Sequence, residues 1–168
     1  NVCIGDNSLV ENIGNYINNY TIGEECYISN VSTMETMEGA TYGEGNLISV
    51  LNEVGEGNVT LFDGLNSQLA AFMVKHNADK ELRERLKQMI AEELERTLPD
   101  RGTIGFGVKI VNTREVVNTI VQDNCEVNGA ARLFDCSLLS AAGSGVYVGS
   151  GVICENSIVA DGSSITND

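Results

Sequence analysis

A six-residue beat governs both ends of this chain and leaves few folds open to it. Counting in sixes gives the apolar column Ile4, Val10, Tyr16, Ile22, Ile28 and Met34, beside the polar column Asp6, Asn12, Asn18, Glu24, Asn30 and Thr36. The period is too regular for ordinary loops and too short for helical repeats. It returns near the other end, where Val148, Cys154 and Ala160 align and Gly149, Glu155, Asp161 and Asn167 form a polar corner set. In a strand, alternate side chains face the same way. Two inward residues can therefore flank an outward one before a polar, Gly-rich corner turns the chain. Units opening at Ile4-Gly5, Ile22-Gly23 and Tyr42-Gly43 start 18 and then 20 residues apart, so one coil holds three hexads and three short sides make a triangular prism. Gly5, Gly23, Gly43, Gly105 and Gly149 stand where such a turn calls for positive φ. Asn12, Asn30, Asn112, Asn156 and Asn167 are expected to stack at equivalent corners and hydrogen-bond along the prism.

Three segments follow from the change of period. Residues 1–63 read as a first β-helix segment, 64–99 as an inserted helical hairpin, and 100–168 as a second β-helix segment packing with the first as one domain. In the hairpin, Leu65, Leu69, Phe72 and Met73 form one stripe at three- and four-residue spacing, and Leu82, Leu86, Ile90 and Leu94 form another. Asp79 reads as the N-cap of the second helix, and Pro99 followed by Gly102 as its stop. In the third segment the beat slips by one residue between Val116 and Val121, which predicts a shortened corner, and Ala141-Ala142-Gly143-Ser144-Gly145 reads as an excursion.

With 168 residues, 42% of them apolar, the chain can bury a core. A formal charge of −14 argues against a nucleic-acid or anionic-membrane partner, since both would repel this field. Much of the acid falls in the helical stretch beside most of the Lys and Arg, so neither sign is expected to form a clean patch there. Cys3, Cys26, Cys125, Cys136 and Cys154 are odd in number and lack CxxC spacing, which disfavours disulfides and a zinc site. As small core thiols they point to a reducing, cytoplasmic setting. No signal peptide or membrane span is visible, and the repeat already runs at Val2 and still runs at Ile165. A β-helix end exposes unpaired backbone, so a longer parent chain is expected.

The pattern of aliphatic, Gly or acidic residue, two variable residues and a small residue is similar to the hexapeptide repeat of left-handed β-helix proteins. These include sugar and CoA-dependent acyltransferases and the C-terminal domains of sugar nucleotidyltransferases. More narrowly, Leu61-Phe62-Asp63-Gly64-Leu65 leading into helices, then Gly102-Thr103-Ile104-Gly105 and Asn128-Gly129-Ala130-Ala131-Arg132-Leu133, looks like a family of long bacterial β-helix proteins. The resemblance implies an all-β, parallel, left-handed β-helix with an inserted α-helical hairpin. It implies a β-helical fragment of a larger transferase acting on sugar nucleotides or acyl acceptors. Acetyl-CoA or a nucleotide would be the cofactor, a sugar nucleotide or sugar phosphate the partner, and a homo-oligomer the assembly seen in related enzymes. The alternative is a non-catalytic scaffold or oligomerisation module.

Few residues offer chemistry. Hexapeptide acyltransferases rely on a His to take the proton from the acceptor, and the single His of this chain, His76, falls near the end of the first helix, where helix capping is the competing role. Asp63, Arg101 and Arg132 complete the candidate set. If the hairpin folds back on the prism, His76 and Asp63 could act as catalytic groups and the two arginines could bind a sugar phosphate or nucleotide. The competing reading is a structural salt bridge fixing the hairpin. Gly143 to Gly149 is Gly-rich but lacks the lysine of a phosphate loop and reads as a turn.

Overall fold

The computed structural model describes residues 1–49, 58–141 and 143–167, so Ala142 of the expected excursion and the stretch 50–57 of the first segment lie outside them. The chain divides into two compact units, Asn1–Tyr42 with Pro99–Asp168, and Gly43–Leu98.

The named strands of the first unit all pair parallel. Its strands are β1 (Val2–Ile4), β2 (Leu9–Asn18), β3 (Tyr20–Ile22) and β4 (Tyr27–Glu35) before the second unit intervenes. The second unit holds β5 (Leu47–Ser49), β6 (Asn58–Thr60), α1 (Ser67–Lys75) and α2 (Lys80–Thr97). After it come β7 (Gly102–Ile104), β8 (Lys109–Val111), β9 (Glu115–Val121), β10 (Glu126–Asn128), β11 (Arg132–Leu138), β12 (Tyr147–Val148), β13 (Ile153–Val159) and β14 (Ser164–Ile165).

Register sorts these strands into three parallel ladders. In the first, Ile4, Ile22, Ile104, Val121, Leu138 and Val159 lie opposite one another in succession. In the second the succession is Val10, Ile28, Ile110, Val127, Val148 and Ile165. In the third it is Ile17, Met34, Val116, Leu133 and Cys154. Apart from Ile4, Val10, Ile17 and Ile165 in the outermost strands, these columns are buried and belong to one apolar cluster. Ladder spacing is fixed by backbone hydrogen bonds and core contact by strand alternation, so each pass of the chain adds one residue to each column.

The corners correct two details of the sequence reading. A register shift between Ile13 and Tyr16 turns Ile17 inward and leaves Tyr16 about half exposed, its hydroxyl donating to Glu35 Oε2 at 3.1 Å. Among the described residues positive φ falls on Asn as often as on Gly, at Asn12, Asn30, Asn112, Asn118, Asn124 and Asn156 among others, because the short polar side chain of Asn tolerates the left-handed region. Asn118, Asp135 and Asn156, at φ of 47° to 49°, each bend one continuous strand from the third ladder into the first. A one-residue bend shortens the beat there to five, which is the slip at Val121. Asn30 donates to Asn112 Oδ1 at 3.1 Å, one rung of the expected stack of side-chain amides, whereas Asn167 is absent from the left-handed set.

Of the corner glycines, Gly43 alone takes positive φ; Gly5, Gly23, Gly105 and Gly149 do not. For three of these the demand is close approach: a Cβ on Gly5 would stand 2.7 Å from Gly23 C, one on Gly23 2.8 Å from Gly105 O, and one on Gly105 2.6 Å from Asp123 N. Three successive turns of backbone pack against each other with no room for a methyl group.

Where the chain leaves and re-enters this unit, polar groups tie the two points together. The Asn19 amide donates to Thr36 O (3.3 Å) and Asp100 O (3.1 Å), the Tyr42 hydroxyl donates to Pro99 O (2.9 Å), and the Ser137 hydroxyl donates to Tyr42 O (2.8 Å). Buried Tyr20 adds a further clasp, donating to Thr119 O at 3.0 Å and accepting from the Thr119 amide at 3.3 Å.

In the second unit the hexad does not run on from Tyr42-Gly43. After turns at Tyr42 to Gly45, β5 and β6 pair antiparallel, Leu47 opposite Thr60 and Ser49 opposite Asn58. An antiparallel pair buries one face only, and here that face meets the helices. Val59, Met73 and Ile90 form the core with Phe62, Leu65, Leu69 and Leu86 packed around them. Phe72, expected in the stripe, is 41% exposed. Asn66 caps α1 by accepting from Leu69 N (2.9 Å), and Asp79 caps α2 by accepting from Leu82 N (3.1 Å). Among the described residues no helix is long and apolar enough to cross a membrane.

Candidate functional site

Among the described residues, a concave feature lies within the second unit. A cavity of about 550 Å³ opens beside α2, with Leu47, Met73, Leu86 and Ile90 supplying apolar wall and His76, Asn77, Lys80, Arg83 and Lys87 supplying polar rim. The turn His76-Asn77-Ala78 between the helices brings its residues to the mouth because α1 ends at His76. The backbone N–H of His76 closes that helix onto Phe72 O at 3.1 Å. Its ring sits 4.6 Å from the ring of Phe72, tilted by 42°. The residue is thus both the C-cap of α1 and part of the cavity wall, and neither expectation for it excludes the other.

The remaining candidates stand elsewhere. Asp63, exposed in the turn before α1, does not line the cavity; its backbone N–H donates to Glu44 Oε2 at 3.3 Å. Asp63 and His76 are therefore not brought together within their unit. Arg101 and Arg132 belong to the first unit. The Arg101 guanidinium reaches Cys3 Sγ at 3.8 Å, and Arg132 Nε lies 3.6 Å from Glu115 Oε2, its directly opposite neighbour across the β9–β11 ladder. That cross-strand pair is exposed and serves the sheet surface.

Missed from the sequence were Lys80, Arg83 and Lys87. Their spacing of three and four residues places them on one face of α2, a signal available in the chain but masked by the interleaved Glu81, Glu84 and Arg85. The charges of the helical stretch are in fact sorted: among the described residues lining the cavity, the three cations meet only Glu84.

The cysteines stand outside the cavity lining. Cys26, Cys125, Cys136 and Cys154 are buried, while Cys3 is exposed because it is the outward residue between Val2 and Ile4. Burial pushes the Cys26 and Cys125 thiols up, which keeps them protonated and poor nucleophiles. Burial also pushes the Glu44 carboxyl up, against the Asp63 backbone N–H, which holds it down. Among the described residues no group of three His, Cys, Asp or Glu side chains is placed to hold a metal ion. The described residues that line the cavity set cations and amides around an apolar wall.

A protein-family model described as "Domain of unknown function (DUF4954)" matches residues 1–168. No curated protein and no solved structure matches the chain.

Proposed function

We propose, from the premise that this chain belongs to the DUF4954 family, that its first unit is a left-handed β-helix acting as a rigid, non-catalytic scaffold within a larger protein of the transferase class. The substrates of that larger protein would be sugar nucleotides or acyl acceptors. One observation carries the reading: the chain passes from the first ladder to the second, to the third and back to the first, each time in register with the pass before. Ile22, Ile28 and Met34 are followed in place by Ile104, Ile110 and Val116 after the whole second unit has intervened. A three-walled stack with an aliphatic lining accounts for that return. The left hand and the transferase class rest on the resemblance to hexapeptide-repeat proteins. The scaffold role is supported by the position of His76 in the helical unit, outside the repeats where hexapeptide acyltransferases carry theirs.

A second reading, transfer chemistry on this chain with His76 as proton acceptor, is favoured by the place of that residue on the cavity wall. Thermal shift and turnover measurements with acetyl-CoA, UTP, GTP and sugar phosphates, on this chain and on any longer protein containing it, separate the readings. The scaffold predicts turnover only in the longer protein. Turnover by this chain alone, lost in His76→Asn, would establish the second reading, and silence from both proteins would retire the transferase class.

A further inference from the structure

We propose that the cavity of the second unit binds a small phosphate monoester with an apolar body. The inference is independent of the scaffold reading, because it uses only side chains of Gly43–Leu98.

Charge is the first ground. In a chain of net charge −14, a cavity should on average be rimmed by acid. Among the described residues lining it, Lys80, Arg83 and Lys87 meet the acid Glu84, an excess of two positive charges from these four side chains. The side-chain ion pairs among the described residues are Arg96 with Glu93, Lys109 with Glu126 and Arg132 with Glu115, so none of the three rim cations is consumed in one. Arg83 is nonetheless positioned, since its Nη1 donates to Asn77 O at 3.1 Å. A guanidinium anchored through one nitrogen keeps further N–H groups for a planar or tetrahedral oxyanion, and a flanking lysine adds a point charge on either side.

Shape is the second ground. A volume of about 550 Å³ falls within the range of small-molecule sites, and Leu47, Met73, Leu86 and Ile90 offer apolar wall that a bare inorganic anion would leave uncovered. Burying an apolar body there adds binding that the anion alone cannot obtain. His76 and Asn77 stand at the mouth, where hydrogen-bond donors can meet the ester or remaining phosphate oxygens. A dianion suits three cations better than a carboxylate does, which selects the phosphate monoester over a fatty or aromatic acid.

The test is isothermal titration calorimetry on the full 168-residue chain with phenyl phosphate, inorganic phosphate, glucose 1-phosphate and phenol. Phenyl phosphate is expected to bind at least about tenfold tighter than either inorganic phosphate or phenol, and to weaken as salt is raised through the range that screens exposed charge. Glucose 1-phosphate separates the sources: affinity matching phenyl phosphate would show that the wall does not select an apolar body, and would overturn that half of the proposal. Arg83→Gln with Lys87→Gln should weaken phenyl phosphate by about tenfold or more while the unfolding transition is unchanged, and Arg85→Gln, on the same helix but off the cavity, should not. If the double variant unfolds, Lys80→Gln alone makes the same comparison. No measurable heat with millimolar phenyl phosphate, equal affinity for inorganic phosphate, or an equal loss in Arg85→Gln would each overturn the site.

Discussion

Gly23→Ala asks whether the corner glycines answer to backbone conformation or to crowding. The backbone of Gly23 lies outside the left-handed region, so alanine is conformationally admissible and the folded state should tolerate it if φ were the only demand. The new Cβ would stand 2.8 Å from Gly105 O, 2.9 Å from Gly105 C and 3.0 Å from Ile104 O, where ordinary contact begins near 3.4 Å. The turns must open by about 0.6 Å (3.4 minus 2.8), against backbone atoms that cannot rotate away. That opening stretches the bonds from Gly23 N to Ile104 O (2.8 Å) and from Gly107 N to Glu24 O (3.0 Å). Weakening two such bonds costs about 1–3 kcal/mol, the same range as overpacking a well-filled core. The smaller freedom of alanine in the unfolded chain returns ~0.4–1 kcal/mol, leaving a net loss of about 1–2 kcal/mol. Urea unfolding followed by circular dichroism measures it as a lower midpoint at unchanged slope. The matched control is Gly149→Ala, whose Cβ would meet first the methyl end of Thr166 at 3.1 Å; it should stay within about 0.5 kcal/mol of wild type. A Gly23→Ala protein as stable as wild type, or a Gly149→Ala protein equally damaged, would refute the crowding argument.

Tyr20→Phe removes a fully buried hydroxyl that both donates to and accepts from Thr119, leaving the Thr119 N–H and C=O short of a partner. The expected loss is about 1–3 kcal/mol in the same urea assay, and an unchanged midpoint would show that the clasp contributes nothing. Glu44→Gln tests pH dependence. Burial raises the folded carboxyl above its unfolded value, so the protonated form is favoured by folding. Its contribution is full below the unfolded value and is lost as pH rises through the folded one. Wild-type stability should therefore fall relative to Glu44→Gln as pH rises through the carboxylate range; parallel stability curves for the two proteins would contradict the assignment.

The sequence was legible where its information is local. The aliphatic columns through Ile22, Ile28 and Met34 recur because strand alternation needs only neighbours along the chain, and the polar corners recur because Asn can hold a left-handed bend by itself. The helix stripes and the caps at Asp79 and His76 are local in the same sense. Tyr16 failed because a register shift is settled by the partner strand, and the corner glycines were misread because their constraint comes from the next turn of chain. Of the four candidate site residues, only His76 lines the cavity; Asp63 and the two arginines have other neighbours.

By itself, then, the chain determined its beat, its corners and the place where that beat is broken by helices, since each is a preference exercised over a few adjacent residues. Tertiary structure decided which side chains share a space: that Leu47 and Arg83 line one cavity, that Glu44 meets Asp63, and that Tyr42 and Asn19 clasp the return at Pro99 and Asp100. Those meetings join residues 19 to 81 positions apart, and no local preference specifies a distance between groups so far separated along the chain.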